Sequence, residues 1–332
     1  MFKLWLNENL KIYKRLRTWI MFGLLFLLVI GGSIVVKVSE DMYQSEYEQQ
    51  NKDWKDYERE KIEHLKNELN SEHMDEKYKS YLEREIEEIE YKLEHDIAPT
   101  APIWNNIEGA TTMAFQLLTL FVVIIAADIV ASEFTWGTIK LLLIRSVSRT
   151  KILLAKYLAT LSFALLLLVL LFVSIFTISG ILYGFDGFNQ SLITITPDGE
   201  IIKKSRFLNI FQSYGIQSVS LIIIVTIAFM ISTVFRSSSL AIGISLLTLF
   251  MGSTISIAFF ELGFEWVKYF LFIHTINLQE YMISGHVLMR YDEMGNQVAL
   301  GTLGQSITII SIYYIIFLFI AWFIFNKRDI KA

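Results

Sequence analysis

The chain has 332 residues, is 54% apolar and 14% aromatic, and carries a net charge of −4 with a mean hydropathy of +0.47. Apolar residues gathered into long uncharged runs are the composition of a membrane protein and exclude an ordinary water-soluble globule. The absence of cysteine excludes a disulfide framework and a thiolate metal centre.

Residues 1–17 alternate Phe2, Leu4, Trp5 and Ile12 with Lys and Asn, which predicts a helix lying in the membrane interface, with Trp5, Tyr13 and Trp19 in the aromatic belt. A spanning helix needs about 20 predominantly apolar residues, and six runs free of Asp, Glu, Lys and Arg qualify. The first lies between Arg17 and Lys37, read as a span over 18–36. It is expected to stay in the mature protein, because it is long, lacks a small-residue cleavage site and is followed by five more spans.

Residues 37–107 then form a large insertion. Its part from 38 to 96 holds 20 acidic and nine basic residues, a net charge of −11. Ile62, Leu65 and Leu69, and then Leu82, Ile86, Ile89 and Leu93, repeat at heptad-like spacing and predict an antiparallel pair of amphipathic helices with a turn at 70–76. Pro99 and Pro102 end the second helix. Such an acidic face is either a solvated surface or a recruiting site for a cationic substrate or partner.

Residues 108–326 contain the remaining spans. The second run lies between Glu108 and Asp128, the third between Lys156 and Asp186, the fourth between Arg206 and Arg236, the fifth between Arg236 and Glu261, and the sixth ends at Lys327. The loop at 185–210, with Gly184, Gly187, Pro197 and Gly199 around a β-branched stretch from Ile193 to Thr196, hints at a β-hairpin. Residues 262–304, with Trp266, Tyr269, Phe272 and Tyr281, suit short re-entrant helices, and 327–332 form a tail. Outside the insertion, 14 Lys and Arg residues flank the spans on one side and six on the other, so both termini are expected to be cytoplasmic. The fold class expected is an all-α integral membrane protein of six spans with an extracellular helical hairpin between spans one and two.

No Gly-x-x-x-x-Gly-Lys-Ser/Thr phosphate loop occurs, so any ATP energy must come from a partner. His-Glu-x-x-His and Gly-x-Ser-x-Gly are missing too, which argues against an intramembrane metalloprotease or an elbow-type serine hydrolase. The five histidines (His64, His73, His95, His274 and His286) lack metal-ligand spacing and read as structural or solvated.

The informative stretch is the loop from Ser132 to Lys156, which joins a short amphipathic helix, about 132–145, to a basic turn. Here the sequence resembles the type-2 ATP-binding-cassette (ABC) exporter permeases, in which an acidic residue leaving span two precedes a coupling helix and a small-residue/Arg turn. Glu133, Gly137, Thr138, Lys140, Ser148, Arg149 and Lys156 match that pattern, and the tail from Phe325 to Ile330 is similar to the aromatic-basic-acidic end of many members. The insertion at 38–107 departs from the simplest members.

The resemblance implies a permease subunit paired with a second permease, identical or related, and with two copies of a cytoplasmic ABC ATPase that binds ATP and Mg. This chain itself would hold no cofactor and would not be an enzyme. Glu133, Thr138, Lys140, Arg145 and Arg149 become candidate motor-coupling residues. Arg145 and Arg149 would equally suit lipid headgroups. Thr112, Gln116 and Thr119 share one face of span two, and Ser245, Thr248 and Gly252 one face of span five. These faces are either helix-packing surfaces or, as the family implies, walls of a translocation cavity. The cargo expected is amphipathic or hydrophobic (peptide, drug or lipid), exported across a bacterial plasma membrane. Membrane lipids are partners and nucleic acid is not. The rival reading is a sensor or immunity protein whose outer hairpin binds an antimicrobial peptide without transport.

Overall fold

The computed structural model describes residues 1–50, 54–69, 76–97, 100–139, 147–195, 201–284, 289–291, 297–299 and 301–327. Helix α1 (Phe2–Tyr13) leads through a short break into α2 (Leu16–Gln50), and α3 (Trp54–Leu69) and α4 (Glu76–Glu94) form the helical hairpin. Four long helices follow: α5 (Pro102–Thr135), α6 (Arg149–Tyr183), α7 (Arg206–Val234) and α8 (Ser238–Glu261). Strands β1 (Ser191–Ile195) and β2 (Ile201–Ser205) stand between α6 and α7. A 3-10 turn (Glu265–Tyr269), α9 (Leu271–Ser284), strands β3 (Met289–Tyr291) and β4 (Gln297–Ala299), and α10 (Leu303–Lys327) complete the described chain. Six of these helices, namely α2, α5, α6, α7, α8 and α10, are long and apolar enough to cross a membrane.

Local sequence sets the helix ends. Pro102 occupies the first turn of α5, where its missing N–H costs nothing. The side chains of Ser205 and Ser237 accept from the backbone N–H of Leu208 and Leu240 and so cap α7 and α8. Two expected boundaries shift. Helix α2 does not stop where its apolar run ends, because residues 38–50 contain neither Gly nor Pro and the backbone ladder continues while the polarity changes. Likewise α5 starts at Pro102, ahead of Glu108.

Helix α5 is the centre of the bundle, packed against α2, α6, α7 and α8. Within its apolar window 72% of the residues are buried inside the chain, against 11% for α10, which leaves most of α10 for lipid or a partner. Small buried residues, Ala126, Ala127 and Ala131, bring neighbouring backbones close. Ser232 of α7 accepts from the backbone N–H of both Val130 and Ala131, at 3.1 and 3.0 Å, two donors that a straight helix would keep for its own ladder. Asn106 ties α5 to α2 and α6 by donating to Ser33 Oγ (3.1 Å) and Ser179 Oγ (2.7 Å).

Trp104, fully buried, stacks on Phe188 at 5.0 Å and donates to the Gly187 carbonyl at 3.1 Å. Gly187 sits at φ +77°, and a Cβ there would overlap Ala101. Only glycine suits both demands.

In the helical hairpin, Ile62, Leu65, Leu82, Ile86 and Ile89 form a buried seam with Leu69 and Leu93 at its edges, as the heptads predict. Of the turn expected at 70–76, residues 70–75 lie outside the described residues and Glu76 already begins α4. Lys55 at the start of α3 pairs with Asp96 beyond the end of α4, while Lys61–Glu85 (2.8 Å) and Lys66–Glu90 (2.7 Å) flank the seam. Exposed ion pairs contribute little, so the apolar seam holds the hairpin. Leu82→Ala, at a site 1% exposed, is expected to cost about 2–5 kcal/mol and open the hairpin. Limited proteolysis should then cut within 54–94 sooner while the spans stay intact.

The first β-hairpin pairs antiparallel, with Ser191 opposite Ser205 and Ile195 opposite Ile201. A second pairs Met289 with Ala299 and Tyr291 with Gln297. It was not expected in 262–304, although Met294-Gly295-Asn296 between two apolar runs is a hairpin signal. Helix α9, in the segment expected to re-enter the membrane, packs on α7, α8 and α10.

Candidate functional site

Both described chain ends meet at one end of the bundle, opposite the helical hairpin. Arg149 at the start of α6 donates to the Asn326 carbonyl near the end of α10 at 3.0 Å, and Trp5 of α1 donates to Ser162 of α6 at 2.9 Å. Helix α1 thus lies across the ends of α5 and α6, and a chain of charges is buried beneath it.

Lys156, 1% exposed, reaches from α6 to Glu8 Oε2 (2.7 Å), Glu133 Oε1 (3.0 Å) and the Ile129 carbonyl (3.1 Å). These three acceptors match the three donors of an ammonium group. Lys11 of α1 bridges the same two carboxylates at 2.8 Å each. Thr138, just past α5, donates to the other Glu133 oxygen. Burial works against the charge of Glu8, but Lys156 and then Lys11 hold its carboxyl below the usual range. Burial likewise opposes the charge of Lys11, and Glu133 and Glu8 hold its ammonium above the usual lysine value.

One turn deeper along α5, Asp128 is 2% exposed and accepts from Arg15, Arg17 and Ser238. This pins the break between α1 and α2 to α5 and to the first turn of α8. The two clusters together lock α1, α2, α5, α6 and α8 at this end. Neither cluster is a metal centre: among the described residues no group of three His, Cys, Asp or Glu could hold an ion.

The structure places the sequence-derived candidates unevenly. Glu133, expected to face a soluble motor, is 7% exposed, and its carboxylate is engaged by Lys11, Lys156 and Thr138 within the chain. The reason is that Lys11 of α1 and Lys156 of α6 reach over it from two sides. Thr138 is half-buried and serves the same carboxylate. Arg149 is engaged at least in part by Asn326. Lys140 and Arg145, with the expected coupling helix beyond Ile139, lie outside the described residues. Exposed at this end are Trp136 (62%), Ser148 and Thr150.

The expected cavity stripe on α5 divides. Thr112 and Gln116 are exposed, while Thr119 is buried in helix packing. The hydroxyls of Thr112, Thr119 and Thr248 each donate back to their own helix, to Glu108, Phe115 and Ile244 carbonyls at 3.0, 2.9 and 2.8 Å. On α8, Ser245 is buried with no hydrogen-bond partner among the described residues, and Gly252 lies under the ring of Phe272 from α9. Along this face Ser245 is buried, and Thr248 and Gly252 are half-buried. Of the histidines, His274 is buried and bonded to Ser306 Oγ (3.0 Å) and the Lys268 carbonyl (2.7 Å). His64 and His95 are exposed. His73 and His286 lie outside the described residues.

Sequence reasoning passed over Glu8 and Lys11. The signal that could have found the cluster is Lys156, a lone charge in the otherwise apolar stretch 152–185, since an ionisable group within a span needs a partner.

Six apolar helices, a buried charge lock at one end and a helical hairpin at the other define a multi-pass helical membrane protein. The chain belongs to the family described as "Protein of unknown function (DUF2705)", whose sequence model matches residues 78–331. It is 36% identical to the "Uncharacterized protein YhcI" of Bacillus subtilis (strain 168) over 333 residues, covering 98% of this chain and 97% of that one. It is also 26% identical to the "Uncharacterized membrane protein YdbK" of the same organism, over 65% of this chain and 79% of that one. No solved structure matches the chain.

Proposed function

We propose that this chain is the transmembrane subunit of an ATP-driven exporter of the type-2 ABC kind, working with a second permease and two copies of a soluble ATPase that binds ATP and Mg. The observation that carries the reading is the Glu133 junction. One carboxylate joins the exit of span two to α1 through Lys11, to span three through Lys156 and to the following segment through Thr138. Force applied to the loop between α5 and α6 would reach all three helices together, which is what a rigid coupling element requires. In this reading Glu133 positions the lever and does not itself touch the motor.

The end that holds α1 and Lys327 is cytoplasmic, and the acidic hairpin is extracellular, as the Lys and Arg bias suggests. Thr112 and Gln116, exposed on α5, face the second permease across the cargo path. The cargo is amphipathic or hydrophobic (a peptide, lipid or drug), matching walls that are mostly apolar.

Topology is tested by single cysteines. Lys79→Cys in the hairpin should react with an impermeant maleimide on intact cells, and Ser148→Cys only after permeabilisation. The reverse pattern overturns the orientation. Function is tested by purifying the whole chain from its native host. A stoichiometric ATPase should come with it and be lost when residues 140–146 are replaced by a Gly/Ser linker. A bound kinase with no ATPase would instead favour a sensor or immunity protein that binds an antimicrobial peptide through the hairpin.

A further inference from the structure

We propose that the cleft beside α1 is a binding site for the phosphate headgroup of an anionic phospholipid of the adjoining leaflet. The cleft has a volume of about 570 Å³ and lies between α1 and the ends of α5 and α6. Its rim carries Asn7 and Lys11 of α1, Lys14 and Arg15 of the break that follows it, and Trp136 beyond α5. Its floor sets apolar Leu4 and Ile152 beside the carboxylates of Glu8 and Glu133.

Charge argues for an anion. In and directly beneath the cleft, five cations (Lys11, Lys14, Arg15, Arg17 and Lys156) stand against three carboxylates (Glu8, Asp128 and Glu133), which leaves two positive charges. Lys14 is exposed and makes no ion pair among the described residues. Uncompensated charge at the edge of a low-dielectric region attracts a counter-ion strongly. The rim also offers an amide, Asn7, as a neutral hydrogen-bond donor.

Depth argues for a lipid. Trp136 is 62% exposed and lies under the Arg15 guanidinium at 4.8 Å, an amphipathic ring of the kind found at headgroup level. On its other flank α1 borders an apolar groove of about 430 Å³ lined by Phe2, Trp5 and Leu158. Helix α1 therefore separates a polar, cationic recess from an acyl-like one, as expected at the boundary between headgroups and hydrocarbon. A soluble partner would account for the cations but not for the apolar flank; a phospholipid accounts for both. The proposal does not depend on the exporter reading.

The test is to reconstitute the full chain in phosphatidylcholine vesicles containing a minority of phosphatidylglycerol, extract it gently, and quantify retained lipid by native mass spectrometry. The wild type should retain phosphatidylglycerol in preference to phosphatidylcholine. Lys14→Gln, at an exposed site, should lower that retention about fivefold, the weight of one basic residue at an anionic surface. Lys3→Gln, at the far end of α1 and outside the cleft, should leave it unchanged. Equal loss from both variants would reduce the effect to diffuse surface attraction and overturn the proposal. Displacement of phosphatidylglycerol by free inorganic phosphate would assign the cleft to a soluble ion and overturn the lipid. Unchanged lipid retention in Lys14→Gln, with release of a soluble protein partner, would assign the cleft to that partner and overturn it too.

Discussion

Lys156→Met is expected to abolish most recovery of folded protein. The side chain is 1% exposed, and its ammonium is fully used by Glu8, Glu133 and the Ile129 carbonyl. Methionine matches the length of the stem but leaves two buried carboxylates with Lys11 as their one shared cation and Thr138 as a further donor to Glu133. Breaking a buried pair from one side costs about 3–5 kcal/mol, a large part of the roughly 5–15 kcal/mol that holds a typical domain. The measurement is monodisperse yield and thermal midpoint in detergent. Lys156→Met combined with Glu8→Gln should recover part of the loss, because the second change removes one of the stranded charges. Wild-type behaviour of the single variant would show that the network does not hold α1 in place. Glu133→Ala should lose folded protein for the same reason, which departs from the expectation for an exposed, motor-facing carboxylate.

Asp128→Asn is the second large effect. The substitution keeps the shape and removes the charge that Arg15, Arg17 and Ser238 share. Two guanidinium groups are left facing one amide. The arginine side chains are 24% and 34% exposed, so water reaches their heads, and the expected cost sits at the low end of the buried-pair range, about 3 kcal/mol. The break at Lys14 and Arg15 should detach from α5 first. A cysteine pair joining the break to the start of α8 should cross-link in the wild type and fail to do so in Asp128→Asn. Undiminished cross-linking would mean that apolar packing alone seats the break.

What could be read from the sequence was whatever repeats along the chain. Uncharged runs give the six long helices, and the heptads from Ile62 to Leu93 give the helical hairpin, because both patterns are local. Ile193 to Thr196 gave one β-hairpin through its β-branched alternation. The other, around Gly295, was hidden by aromatic neighbours that suit a re-entrant helix equally well. The charge lock was illegible for a different reason. Lys11 meets Glu133, and Glu8 meets Lys156, across 122 and 148 residues, and no spacing rule links them. Glu133 was singled out from its position after span two, but periodicity gives a face and not a partner. For the same reason Thr112 and Thr119, on one stripe, end in different surroundings, the first exposed and the second buried.

Helix α2 has a mechanical consequence. Its 35 residues run unbroken from Leu16 to Gln50, a rod of about 52 Å at the usual rise per residue, of which only part crosses a bilayer core about 30 Å thick. Its foot is clamped at Arg17 to Asp128, and its other end leads toward α3. A pivot of about 10° at the foot would carry the other end through about 9 Å, given that length. Small rearrangements of the charge lock would therefore appear at the other end of the bundle as a sweep of the helix tip, like the hand of a gauge geared to a short spindle.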